Sequence, residues 1–322
     1  MVASDIPELR GVYLLTHPRS ASNLFQTMMA KQPGYQNSGY KFFDVGFAAL
    51  SQMPRGPLSE WPGEEREALY DMFRKGFENL QDEVADAERN GKQAFIKEHT
   101  IFLRGPDKVF ATLYNNDNVE PLVLQQRDAH SSSNHTNPTS LPDYFLLSLQ
   151  PIFQIRHPAL MFPSMVRAQS NVLPDSTTKH PRVFCTLTLH PSRALYDWYA
   201  NNAPISRQPR VIDADDIMND PAAVRQLCIE TGLDPEAVQY EWEERKEDNP
   251  LFASFLSTIN ASTGIVQGKD AKGLDIVGEK AKWTNEFGED AATDIERYVQ
   301  DAMGDYEYLL SRKTKGKQVG MV

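Results

Sequence analysis

His17-Pro18-Arg19-Ser20-Ala21-Ser22-Asn23 ends an apolar run, Gly11 to Leu15, and opens a helix-like pattern. A helix start of this kind presents unpaired N–H groups and the positive end of a dipole, which together hold an anion. Arg19 adds a permanent, fork-shaped cation. The chemistry is that of a phosphate or sulfate cradle. It is not a Walker A loop, because the turn lacks G-x-x-x-x-G-K-[ST] and its lysine. An ordinary strand-to-helix connection with a serine cap is the plain alternative. Arg156 ends a second apolar run and can hold a second anionic group. Ser164 lies eight residues beyond it, about two helical turns, and can give its hydroxyl to the same oxyanion if the chain folds back. His99 ends a third run, with Lys97 on the same strand face by period two. A histidine beside cations, which favour its neutral form, suits a general base. Glu98 is its rival. Together these residues suit binding of a doubly phosphorylated nucleotide and deprotonation of a nearby hydroxyl.

The elements that must position them follow from hydrophobic patterning. Strands are expected at 11–15, 93–99, 152–158 and 210–214, with a short one at 122–124. Helices are expected at 22–31, 63–90, 158–169, 183–199 (bent by Pro191), 220–231 (ended by Gly232) and 286–310. Residues 32–44 read as an aromatic loop holding Tyr40, Phe42 and Phe43, which are equally an acceptor pocket or a local core. Residues 127–142 read as a mobile loop, 171–181 as a polar loop, 263–278 as a Gly- and Lys-rich loop, 249–256 as a short apolar segment and the tail from 313 to 322 as frayed. Strands alternating with helices give an α/β fold, three-layered around a mostly parallel sheet with a P-loop-like strand–loop–helix. The chain reads as a single domain over 1–322. Ligands in such sheets sit at the carboxyl ends of the strands, where three runs here turn polar.

Bulk properties narrow the partners. A net charge of −11 disfavours nucleic acid and anionic membranes, so an anionic ligand needs a local basic pocket. Cys185 and Cys228 have no metal-ligand spacing and read as buried hydrophobes. No metal site is expected. The polar N-terminus is no signal peptide, no run is long enough to span a membrane, and a cytoplasmic location follows as the expectation. His17, His130, His135, His157, His180 and His190 read as loop or cap residues. The Trp198-Tyr199 pair reads first as core and second as pocket wall.

At this point the motifs resemble those of the PAPS-dependent sulfotransferases, PAPS being 3′-phosphoadenosine 5′-phosphosulfate. His17-Pro18-Arg19-Ser20-Ala21-Ser22-Asn23-Leu24 resembles their 5′-phosphosulfate loop, of microbial type in having arginine for lysine. Ile155-Arg156 through Ser164 resembles the 3′-phosphate signature. Phe95-Ile96-Lys97-Glu98-His99 resembles the strand that carries the base, and Trp283-Thr284-Asn285-Glu286-Phe287 resembles a C-terminal motif. They occur in the family's order from residue 11 to residue 287.

The resemblance implies sulfuryl transfer from PAPS, without metal, to a hydroxyl or amine of a small-molecule acceptor, leaving 3′-phosphoadenosine 5′-phosphate (PAP). His99 would be the base, Arg19 would stabilise charge at the leaving phosphate, and Lys97 would complete the catalytic set. Arg19, Ser20, Ala21, Ser22, Asn23, Arg156 and Ser164 would bind the donor. Ile276-Val277-Gly278 stands where the family has a basic pair before a glycine, so Lys280 and Lys282 would supply that charge beside Gly278. The family's loop glycine is Ala21, and its adenine-contacting tyrosine is replaced in Ala214-Asp215-Asp216. Tyr40, Phe42, Phe43 and Trp198 would face the acceptor. A homodimer is left open. The alternatives are a sulfotransferase-like protein that binds a nucleotide or metabolite without transfer, and a P-loop nucleotide kinase.

Overall fold

Apolar runs form the central strands, and the one at 93–99 turns ionisable at its carboxyl end. The computed structural model describes residues 7–115, 117–127, 135–172, 177–244, 256 and 258–316. Gly11–Thr16 (β1) is buried along its whole length. It pairs in parallel with Gln93–His99 (β3), which sets Thr16 opposite His99, and with Leu149–Ile155 (β4) on its other side. Close approach of β1 and β3 requires Gly11, since a Cβ there would lie 2.0 Å from the Ala94 carbonyl oxygen. Tyr35–Ser38 (β2) joins β3, and Arg210–Asp213 (β5) completes the order β2-β3-β1-β4-β5 of an all-parallel sheet.

The flanking helices are Ser22–Met28 (α1), Phe43–Gln52 (α2), Gly63–Arg89 (α3), Pro106–Phe110 (α4), Asp143–Leu147 (α5), Pro158–Val172 (α6), Pro181–Thr186 (α7), His190–Asn202 (α8), Ala214–Asn219 (α9), Pro221–Thr231 (α10), Ile276–Phe287 (α11) and Glu289–Leu310 (α12). In α3, Leu69, Phe73, Phe77, Leu80 and Val84 make one buried stripe at helical spacing. Asp220 accepts from the N–H groups of Ala222 and Ala223 to start α10, and Gly232 ends it in the left-handed region at φ 78°.

Several expectations are corrected. Part of the 32–44 loop is strand β2, whose Tyr-Gln-Asn-Ser carries no alternating pattern and pairs only because β3 offers a partner edge. Residues 122–124 form no strand; Leu124 N–H donates to the Ser140 carbonyl instead. The helix at 183–199 is two helices, broken just before Pro191. The loop at 263–278 ends at Asp275, so Gly278 lies in the first turn of α11. In the segment read as mobile, Asp143 accepts from Thr136 and Asn137 and fixes residues 135–142, while 128–134 lie outside the described residues. The tail begins tied to β5, with Thr314 N–H on the Val211 carbonyl at 2.8 Å; 317–322 lie outside the described residues, as do 173–176 of the polar loop, His130 and 249–255.

The chain sorts into two compact units. Unit 1 comprises residues 1–16, 34–153 and 190–209. Its core joins Phe42 to Phe73 and Phe77 to Phe145, with Tyr13 and Tyr199 fully buried. Unit 2 comprises 17–33, 154–189 and 210–322. Its core includes Phe162, Ile212, Leu227, Ile295 and Val299. Among the described residues no helix is long and apolar enough to cross a membrane.

Candidate active site

The chain passes between units at the carboxyl ends of β1 and β4. This sorts the expected site residues. Arg19 to Asn23, Arg156, Ser164, Gly278, Lys280 and Lys282 belong to unit 2, and Tyr40, Phe42, Phe43, Lys97, Glu98, His99 and Trp198 to unit 1.

In unit 2 the loop after β1 is held in an uncommon conformation. Among the described residues, Arg19 and Ala21 are the non-glycine residues with positive φ, at 67° and 64°, and Ala21 precedes α1 in the left-handed region. Ser20 is fully buried, its N–H donating to the His17 carbonyl and its own carbonyl accepting from the Gln154 amide at 2.6 Å. His17 anchors the loop. Its ring nitrogens lie 2.7 Å from the carbonyls of Pro18 and Thr186. Two carbonyls would favour an imidazolium, but complete burial outweighs them and pulls the ring's pKa down to about 4. The ring is therefore neutral and donates to one carbonyl only. His17 is thus a loop residue that is buried and bonded to backbone carbonyls, while His157 and His180 cap α6 and α7 by accepting from Ala159 and Arg182 N–H.

Arg19 Nε donates to Ser164 Oγ at 3.0 Å, and Arg156 donates to the Arg19 carbonyl at 3.0 Å and to the Lys269 carbonyl at 2.8 Å. Ser164 thus contacts the 17–23 loop rather than reaching back to Arg156. Burial lowers the Arg156 pKa, opposed by Asp215 and Asp213. Two buried atoms of this cluster, Ser20 Oγ and Arg156 Nε, have no hydrogen-bond partner among the described residues.

The 264–275 loop was the missed contributor. Asp215 accepts from Ala271 N–H at 2.9 Å, and Asn219 donates to Asp270, so α9 carries this loop against Arg156. The Lys269-Asp270-Ala271-Lys272-Gly273 run, with Gly273 at φ 71°, was the available signal. Gly278 instead gives its N–H to the Asp275 cap at 2.9 Å. Lys280 pairs with Glu296 at 2.9 Å and Lys282 with Glu279 at 2.5 Å.

In unit 1, β3 ends in three buried ionisable residues, Lys97, Glu98 and His99. Alternation sends Lys97 and His99 to one face, and both meet Tyr40. The Lys97 ammonium lies 4.4 Å from the Tyr40 ring centroid and the His99 ring 4.6 Å from it. Burial lowers the Lys97 pKa to about 7, against the raising effect of Glu98. Glu98 points the other way. Its Oε1 accepts from the N–H groups of Lys41 and Phe42, its Oε2 is buried without a partner, and burial raises its pKa to about 8. Through Oε1 it holds the β2–α2 connection, on the strand face opposite Lys97 and His99.

Thr16 gives His99 its orientation, a role not visible in sequence. Its hydroxyl donates to the Glu98 carbonyl at 3.1 Å and lies 2.7 Å from His99 Nδ1. The hydroxyl's one proton is used on the carbonyl, so Nδ1 carries the N–H that Thr16 accepts. The basic lone pair is then on Nε2. Of the expected acceptor residues, Tyr40 and Phe43 pack together near His99, with ring centroids 5.7 Å apart. Phe42 is in the core. Trp198 is buried, its indole N–H donating to Thr136 Oγ1 at 2.8 Å.

No family model matches the chain. It is similar to the sulfotransferase ppzF of Metarhizium majus, with 33% identity over 94% of this chain and 96% of the relative. Its likeness to the sulfotransferase ppzF of Metarhizium rileyi is 32% over the same shares. Among solved structures, it is similar to a sulfotransferase domain from the curacin biosynthetic pathway at 14% identity and a TM-score of 0.44, covering 87% of this chain and 98% of that one. The extent and identity of the match to the two curated relatives place this chain in the sulfotransferase family of transferases.

Proposed function

We propose that the protein transfers the sulfuryl group of PAPS to a hydroxyl or amine of a small-molecule acceptor. The observation that carries this reading is the hydrogen-bonded cluster of Arg19, Ser164 and Arg156, with buried Ser20 Oγ and Arg156 Nε left unpartnered. An unpaired buried donor costs about 1–3 kcal/mol, and oxyanions of a doubly phosphorylated nucleotide would relieve both. Arg19, Ser20, Ala21, Ser22 and Asn23 would hold the 5′ side of PAPS. Arg156 and Ser164, with the 264–275 loop, would hold its 3′-phosphate. Lys280 and Lys282 are spent on carboxylates and are not needed in this assignment.

PAPS, when bound, supplies sulfur activated by its anhydride link to the 5′-phosphate. His99 takes the acceptor's proton at Nε2 as the acceptor atom bonds to sulfur and the bond from sulfur to the phosphate oxygen breaks. Arg19 offsets the charge left on that oxygen. Lys97 adds a cation on the strand face of His99, and Tyr40 and Phe43 border the acceptor. Donor binding belongs to unit 2 and proton removal to unit 1. The protein acts in the cytoplasm in this reading.

Calorimetric titration with PAP tests donor binding. Micromolar affinity lost in Arg156→Ala is expected, and binding of ATP in place of PAP would sink the reading. Labelled-sulfate transfer to a panel of phenols and alcohols tests catalysis. His99→Ala is expected to abolish transfer while Glu98→Gln keeps it; the reverse pattern would make Glu98 the base.

A further inference from the structure

Unit 1 contains a cavity of about 370 Å³ that the donor chemistry does not use. That size suits a small ligand. Arg104, Lys108 and His190 line it, with the hydroxyl-bearing Thr100, Thr112 and Thr139; the rest of the lining is alanine and proline. No acidic residue is among those lining it. In a chain of net charge −11, a cavity walled by an arginine, a lysine and a histidine runs against the overall field.

The cations are fixed in place. Arg104 donates to the Lys108 carbonyl at 2.5 Å and to Thr112 Oγ1 at 3.1 Å. Lys108 Nζ donates to the carbonyls of Asn137 and Thr139, at 3.3 and 3.2 Å. Burial lowers the Lys108 pKa and Arg104 lowers it further, so each disfavours the charge on the other's wall. The acids that act on Lys108 are Asp107 and Asp143. Asp143 is occupied by N–H groups of Thr136 and Asn137, and Asp107 Oδ1 accepts from Leu122 N–H. Two like charges held together at a half-buried wall favour an incoming anion, and a guanidinium matches a carboxylate geometrically.

Thr100, one of the lining residues, is the chain neighbour of the base. It follows His99 directly, and its hydroxyl is 2.8 Å from Ser192 Oγ at the start of α8. We propose that this cavity binds the carboxylate of the acceptor, so that the preferred acceptors are hydroxylated carboxylic acids. The proposal rests on the reading of the protein as a sulfotransferase with His99 as base.

The test compares transfer from PAPS to 4-hydroxyphenylacetate and to neutral 4-ethylphenol. The expected ratio of kcat/KM is about tenfold or more in favour of the carboxylate, falling to about one in the Arg104→Gln/Lys108→Met variant. If that variant does not fold, Lys108→Gln alone is read against the same ratio. A ratio near one in the wild type overturns the proposal. Should neither phenol be sulfated, the catalytic reading fails, and calorimetry with 4-hydroxyphenylacetate decides the cavity by itself. Binding that is lost in the variant supports it. Absent binding, or binding equal in the variant, overturns it.

Discussion

Arg19 and Ser164 are joined by a 3.0 Å hydrogen bond from Nε to Oγ, although 145 positions separate them in the chain. The two motifs of unit 2 are therefore joined directly. Ser164→Ala removes the hydroxyl that accepts from the Arg19 guanidinium, which the proposed function assigns to donor binding. PAP binding is expected to weaken about tenfold, or about 1.4 kcal/mol, by calorimetry. An unchanged Kd would take Ser164 out of the donor site.

Thr16 sets the tautomer of His99 in the same sense that a carboxylate orients a triad histidine. Thr16→Val keeps the shape and removes the acceptor for Nδ1–H. We expect kcat to fall about tenfold with KM little changed, and Thr16→Ser to restore it. Loss in both variants would indicate a packing effect.

Ala21 occupies a position that favours glycine, at φ 64°. The left-handed conformation costs about 1 kcal/mol for alanine, and a glycine there adds a similar entropy to the unfolded chain. Ala21→Gly is expected to stay within about 0.5 kcal/mol of the parent in urea unfolding. Ala21→Val should lose about 1–2 kcal/mol, and a stable valine variant would argue against the loop conformation.

Glu98 makes stability depend on pH in a defined direction. Its pKa in the folded protein is about 8, raised by burial from 4.5. Between those values the folded state binds more protons than the unfolded state, so this group's contribution falls as pH rises. Glu98→Gln keeps an acceptor for Lys41 and Phe42 N–H and removes the titration. The melting temperature of the variant relative to the parent should rise from pH 5 to pH 8. A difference that is flat across that range would mean Glu98 is ionised in the folded protein. Lys97 acts in the opposite sense above its pKa of about 7, which is why the comparison is made against the glutamine variant.

Much of this was legible in residue order. The Gln93–His99 strand and the 63–89 helix follow from an apolar run that turns polar at its end and from a 3.6-residue stripe. So does the placement of Arg19, His99 and Arg156 just past, or at, the ends of parallel strands. What was hidden depends on partners distant in sequence. β2 exists because β3 presents an edge, and no pattern within four polar residues announces it. Thr16 gained its role from register, which sets it opposite His99. The position of the 264–275 loop is hidden in the sequence because Asp215, its anchor, lies 56 positions from Ala271. Lys280 and Lys282 looked available until α12 brought Glu296 to Lys280 and a turn of α11 brought Glu279 to Lys282.

The interleaving of the two units has a consequence for synthesis on the ribosome. Unit 1 lacks its closing piece until residues 190–209 have emerged, and unit 2 draws most of its core from residues beyond 210. The leading half of the nascent chain therefore contains no complete unit. Its apolar strands β1, β3 and β4 emerge before the helices α8, α10 and α12, and they must wait for them. Co-translational folding by successive domains is closed to this chain, and a truncation near residue 200 should yield an aggregating product rather than half an enzyme.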